Sequence, residues 1–251
     1  MASLNLQRAE LGGLDLACEG GQKQAADCAE LSDANLAGAN LALANLAGAD
    51  LSGADLTGTD LTFADLTGVD LNSANLTGTV LASANLTGTV LTAVDLISAD
   101  LLFADMTGVD LTDADLTGVN LTGVNLTGAD LTSADLTGAG LARVNLTGVD
   151  LTDLDLTDAD LTWADMTDVD LARANLTDAK LTGAELICTN LAGADLAGAD
   201  LTDASLHGAD LTGTTLTQEQ IDSAAGGDPS TVLPTDVQHP TEWSSEQMEC
   251  P

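Results

Sequence analysis

A leucine recurs every fifth residue, and no other feature constrains the fold so tightly. Stepping by five from Leu31, every position up to Leu216 is Leu, except Met106 and Met166. That makes about 38 consecutive units without an insertion, and self-similarity on this scale outranks local propensity. The spacing matches neither the 3.6-residue period of a helix nor the two-residue period of a strand. With Leu at position i, position i−2 is almost always Ala, Val or Thr, and i−1 is mostly Asp or Asn. Position i+1 is usually Thr or Ala, and i+2 is often Gly or Ser. Residues i−2 to i therefore alternate apolar, polar, apolar, a short strand-like rhythm with two side chains inward and one outward. The two small residues that follow permit a tight turn. A chain that runs three residues and turns, repeatedly, must coil. Four turns of about 90° close a square of about 20 residues, and stacked coils lie ~4.8 Å apart. Leu then stacks on Leu up the axis, with Ala or Val lining the rest of a narrow core.

Units such as Ala-Asp-Leu-Thr-Gly at 54–58 and Ala-Asn-Leu-Thr-Gly at 74–78 resemble those of the pentapeptide repeat family. The resemblance spans about three quarters of the chain, as a continuous array. It implies an all-β fold, a right-handed quadrilateral β-helix, here a solenoid of about 9–10 square coils at 20 residues each. It places i and i−2 inside and i−1, i+1 and i+2 outside.

The ends should differ from the repeat, because a solenoid has to cover its terminal coils. Residues 1–28 read as an N-terminal cap with degenerate repeats, in which Leu6, Leu11 and Leu16 keep the register. Residues 19–28 lose the pattern for two units. Either two degenerate units continue the coil or a loop bulges there, and Cys18 and Cys28 are expected as unbonded thiols. The repeat helix occupies 29–217. Thr217 and Gln220 then form a capping-box signature, and Gly226 and Gly227 read as a stop. A capping helix is expected within 218–227, about 218–225, with Ile221 turned into the last coil. Residues 228–251 read as an extended tail, pinned by Trp243.

Charge narrows the partners. Forty acidic and five basic residues give a formal charge of −35. Such a surface repels nucleic acid and anionic membrane, so neither is expected as a direct partner. A basic protein is the natural complement, while solubility in a salty cell explains the acidity equally well. Monomer and homodimer both stay open. No signal peptide is recognisable, and no apolar run is long enough to span a membrane. Four scattered cysteines are too few for a disulfide scaffold, so a cytoplasmic, reduced protein is expected.

No catalytic set is legible, and the chain is not expected to be an enzyme or to hold a cofactor or metal. The histidines, His207 and His239, stand apart, and the cysteines lack zinc spacing. The Asn-Leu-Thr sequons, as at Asn75 and Asn145, are by-products of the repeat.

The outer surface holds more. Residues 20 apart share a face. The most acidic i−1 column runs through Asp50, Asp70, Asp110, Asp130, Asp150, Asp170 and Asp210, reinforced at i+2 by Asp33, Asp113 and Asp153. The expected spacing of charge, about one per 1.3–1.5 Å, is close to the one per ~1.7 Å of duplex DNA. Some members of the family mimic DNA and bind DNA gyrase and topoisomerase IV, so gyrase is one candidate basic partner. The chain departs from that subgroup: no i position is aromatic, no loop interrupts the repeat after Leu31, and the tail is not strongly apolar. A second candidate surface is an apolar edge, Leu43, Phe63, Phe103 and Trp163, all at i+2 of one face. Ice binding through the Thr columns is a third reading, opposed by the spread of Thr over every face.

Overall fold

The computed structural model describes residues 4–17, 29–243, 246 and 250. The chain divides into two compact units, Met1–Ala134 and Asp135–Pro251.

In the first unit the pentad is a turn followed by one bridge. The Leu51 carbonyl accepts a hydrogen bond from the Ala54 N–H at 3.0 Å, closing a four-residue turn. The third residue of each turn has positive φ, as at Gly58 (62°), Gly68 (63°) and Phe63 (56°). Left-handed φ at the third residue alone is the type II pattern, which explains the frequent glycine at i+2. The chain then extends, and residue i−1 forms a parallel bridge with the residue 20 positions on: Asp50 with Asp70, Asp55 with Asn75, Asp60 with Val80 and Asp65 with Asn85. Four bridges in succession, with the fifth stacked on the first, make a coil of four faces. Each bridge is a pair of bonds, such as Leu51 N–H to Asp70 O at 2.8 Å and Asp70 N–H to Ala49 O at 3.1 Å. The next turn follows at once, so each face is a row of single bridges and not a row of long strands.

The core follows the register. Leu36 through Leu126 at position i, with Met106, are at most 1% exposed. Each buried Leu contributes roughly 1.5–3 kcal/mol of transfer free energy. At i−2, Thr replaces Val or Ala without leaving a hydroxyl stranded. Thr59, Thr79 and Thr89 donate to the Leu36, Leu56 and Leu66 carbonyls at 2.9 Å.

At the N-terminal end, Asn5, Glu10 and Asp15 bridge to Asn35, Asn40 and Asn45, an offset of 30, whereas Glu30 pairs with Asp50 at the usual 20. Ten residues more than one coil therefore separate the N-terminal bridges from their partners. Cys18 and Cys28, expected as unbonded thiols, lie outside the described residues.

The second unit repeats the geometry, with bridges such as Asp150 to Asp170 and Asp165 to Glu185. Thr189 donates to the Met166 carbonyl at 2.8 Å. Helix α1, Gln218–Ser223, is capped by Thr217 with Gln220 as its capping-box partner, and its Ile221 is buried. Its C-cap is Ala224, so the helix stops before the glycines. Gly226 instead bridges to Ser205 and Val232 to Asp210. Thr231 donates to the Leu206 carbonyl at 2.8 Å, as the core threonines do. The expected extended tail thus begins as part of a further coil. Beyond it Trp243 lies against Gly227, where any Cβ would collide with the indole, and meets His239 edge-on at 5.6 Å.

One expectation is overturned. Cys188 and Cys250 form a disulfide, with Cα atoms 5.6 Å apart and a sequence separation of 62. The thiols of this end are not reduced. The turn at Cys188 presents its side chain outward, and the returning chain brings Cys250 onto it beside Gly208.

No helix among the described residues is long and apolar enough to cross a membrane.

Candidate interaction surface

The i−1 carboxylates have a local task. Asp60 Oδ1 accepts from the Thr62 N–H at 3.0 Å and from the Thr62 hydroxyl at 2.6 Å. Asn85 Oδ1 accepts from the Thr87 N–H at 3.1 Å and its hydroxyl at 2.7 Å. This is the Asx-turn bond, which needs one side-chain oxygen and no charge. The recurring Asp-Leu-Thr and Asn-Leu-Thr triplets are explained by it. It also ties up the threonine hydroxyls that an ice-binding plane would present.

The predicted acidic column is assembled within each unit. In the first, Glu30, Asp50, Asp70, Val90, Asp110 and Asp130 follow one another by bridges. Val90 interrupts the charge, and Asp113 stands at an adjoining turn with φ of 58°. In the second, Asp150, Asp170, Asn190 and Asp210 follow in the same way. The Thr112 hydroxyl and backbone bonded to Asp110 hold its carboxyl below the usual value, and Thr152 does the same for Asp150. Asp153 is withdrawn from the candidate face: Arg173 grips both of its oxygens, Nε to Oδ1 and Nη2 to Oδ2, each at 2.6 Å. Arg173 therefore holds the Asp153 carboxyl low. His207 is bonded to the Ser205 hydroxyl at 3.0 Å, and no metal-competent cluster occurs among the described residues.

The apolar edge is also placed. Leu43, Phe63 and Phe103 are 68%, 61% and 61% exposed in the first unit, and Trp163 is 56% exposed in the second. All four sit at positive φ, between 56° and 61°. The Phe103 ring covers Gly123, where a Cβ would come within 2.5 Å of it. Trp163 covers Gly183 in the same manner. Sequence reasoning missed the carboxylates beside the rings. Asp60 and Asp65 bracket Phe63, Asp100 and Asp105 bracket Phe103, and Asp160 and Asp165 bracket Trp163. The signal was there as Asp-Leu-x-aromatic-Ala-Asp, three times. Burial works against the charge of Asp160, but bonds from Thr162 and the nearby Lys180 outweigh it and hold the carboxyl low.

The family model for Pentapeptide repeats matches the chain at residues 29–68, 74–113, 114–153, 155–187 and 186–218. No curated protein matches. Among solved structures, the chain is 33% identical to HetL, a pentapeptide repeat protein involved in heterocyst differentiation regulation from the cyanobacterium Nostoc sp. strain PCC 7120. That match covers 82% of this chain and 89% of HetL, with a TM-score of 0.39. Full-length QnrB1, a plasmid-mediated fluoroquinolone resistance protein, is 17% identical over 95% of this chain and 92% of its own, with a TM-score of 0.26. Rfr23, a pentapeptide repeat protein from the cyanobacterium Cyanothece 51142, is 28% identical over 54% of this chain and 91% of its own, with a TM-score of 0.20.

Proposed function

The chain belongs to the pentapeptide repeat family, and we propose that it is a non-enzymatic, strongly acidic interaction protein whose partner is a basic protein. Its coils follow the right-handed quadrilateral course that the family resemblance implies. One observation carries the functional reading. Asn satisfies the turn as well as Asp does, yet twenty of the thirty-eight i−1 positions from Glu30 to Thr215 are Asp and ten are Asn. The fold needs the oxygen; the charge is additional. A surface that accumulates charge beyond what its fold requires attracts a basic partner and steers its approach.

The test separates charge from fold. The variant carrying Asp50→Asn, Asp70→Asn, Asp110→Asn and Asp130→Asn should keep the wild-type melting temperature. It should lose most of the salt-dependent binding to a probe peptide of four Ser-Arg-Arg repeats. Unchanged binding would show that this column is not the contact surface.

A second reading is DNA mimicry toward DNA gyrase or topoisomerase IV. The observation in its favour is local. Asp55, Asp60, Asp65 and Asp70 all lie on one coil, four charges per ~4.8 Å of rise, against one per ~1.7 Å in duplex DNA. The next coil carries Asn75, Val80, Asn85 and Val90 at the same positions, which a uniform mimic would not do. Gyrase supercoiling measured with added protein at two salt concentrations discriminates: inhibition that weakens with salt supports occupation of the DNA site, and no inhibition leaves the broader reading. The disulfide favours an oxidising compartment over the cytoplasm expected from sequence.

A further inference from the structure

We propose that the corner carrying Phe63 and Phe103 in the first unit is a docking site for an extended basic segment of a partner protein, with apolar side chains seated on the rings and basic side chains between the flanking carboxylates. The proposal rests on the reading of a basic partner and adds where it binds and what else it must carry.

Folding does not account for these two rings. An aromatic residue at positive φ is a conformational outlier, and at 61% exposure neither ring gains much burial. At the other i+2 columns the chain places Gly, Ser, Ala, Asp, Arg or Cys. In the first unit every large apolar residue at i+2 falls in this one. Ser83 stands between the two rings in the same column, with φ of 56°, so the geometry admits a small polar residue there.

The neighbours follow the rings. Phe63 lies between Asp60 and Asp65, and Phe103 between Asp100 and Asp105. The other corners of the column in this unit are neutral on both sides: Leu43 between Asn40 and Asn45, Ser83 between Val80 and Asn85, Gly123 between Asn120 and Asn125. The second unit repeats the association independently. Trp163 lies between Asp160 and Asp165, while Arg143, Gly183 and Asp203 lack the double bracket. There Lys180, from the chain itself, reaches Asp160 at 3.5 Å. In the first unit the matching positions one coil on are Val80 and Asn120, and no basic side chain pairs with Asp60, Asp65, Asp100 or Asp105 among the described residues.

A ring flanked by two carboxylates favours a cation on an apolar stem, through its face and through charge. Self-association is the poorer match, because a second copy brings −35 against −35. Phe63 and Phe103 are two coils apart, ~10 Å, which three residues of a polyproline-II segment span at ~3.1 Å each, with the fourth side chain returned to the face of the first. An apolar residue at every third position, with Arg between, places one on each ring.

The test uses two peptides of equal charge, four repeats of Leu-Arg-Arg and four of Ser-Arg-Arg, titrated into the full chain. The leucine peptide should bind about tenfold tighter, the worth of one seated apolar side chain, and should move the ring resonances of the chain's two phenylalanines. The variant Phe63→Ser with Phe103→Ser should bind both peptides with the affinity wild type shows for the serine peptide. Equal affinity of wild type for the two peptides, or a variant that keeps the leucine preference, overturns the site while leaving the basic-partner reading intact. Failure of both peptides to bind wild type overturns both. Ring resonances that move on concentrating the protein alone identify a second copy as the occupant and also overturn the proposal.

Discussion

The two ends of the repeat are finished differently. In the N-terminal coil Leu6, Leu11 and Leu16 are only half-buried, and Leu4 and Leu14 are 49% and 43% exposed. One coil further on, Leu36, Leu41 and Leu46 are at most 1% exposed. At the other end burial persists to the last residues: Leu211 and Ile221 are both at 0%. The pentad can extend a stack but cannot finish one, because each coil leaves the donors and acceptors of its outer edge for a neighbour. At the C-terminal end Gln220 Nε2 donates to the Leu196 and Ala199 carbonyls at 2.8 and 2.9 Å. Helix α1 holds the chain beyond it through Gln218, which donates to the Gln238 carbonyl at 3.0 Å and accepts from the Gln238 N–H at 2.9 Å. Finishing a stack takes side chains that the repeat does not supply.

The contrast breaks most readily at Ile221. Ile221→Ala should destabilise the C-terminal end by about 3 kcal/mol, the cost of an emptied core site. Leu11→Ala, at a half-buried site, should cost about 1 kcal/mol. Urea unfolding followed by amide exchange in each unit gives both values, and equal costs would mean that the N-terminal coil is as well packed as the C-terminal one. The disulfide comes next. Cys250→Ser, or reduction of the wild type, should cost about 2–4 kcal/mol and speed exchange at the Leu206 and Leu211 amides, leaving Leu51 and Leu56 unaffected. Gln220→Ala removes the helix cap partner and two carbonyl caps together, and about 1 kcal/mol is expected. Its effect should be confined to the same amides.

The same division governed what could be read from sequence. The buried positions i and i−2 were legible from Leu31 to Leu216, because the register is local and a single slip would expose a leucine. Thr217 and Gln220 announced the helix for a similarly local reason. The failures were long-range. Cys188 and Cys250 meet across a sequence separation of 62, and no spacing rule brings a residue of the repeat to one at the chain end. Gly226 looked like a helix stop and instead bridges to Ser205, since its partner is chosen by the coil beneath it. Of the surfaces, the acidic column was legible as an arrangement. The Asx bond beneath it was not, and only the geometry separates the charge from what the fold needs. The edge residues are legible as a column, whereas their paired carboxylates belong to two different faces and meet only across a corner.

Acid offers the finest test of the contrast. In the first unit the Asp110 carboxyl is held below its ordinary value of 3.8, by the Thr112 hydroxyl first. The second unit has several, including Asp150 through Thr152, Asp195 through Thr215 and Asp200 through Thr202. A carboxyl depressed in the folded state contributes stability that is present above its unfolded value and is lost as pH falls through the folded one. The loss should therefore begin near the ordinary value and deepen below it. It should be small, because these groups are largely solvated and screened. Amide protection factors near neutrality and at about pH 3 would show it as a drop at the Thr112, Thr152 and Thr202 amides, which these carboxylates hold. Asp150→Asn with Asp200→Asn should reduce the drop at Thr152 and Thr202 while keeping the turns, because Asn85 holds its turn with the same pair of bonds. No drop at those amides would mean that relief of repulsion between neighbouring carboxylates outweighs the threonine bonds.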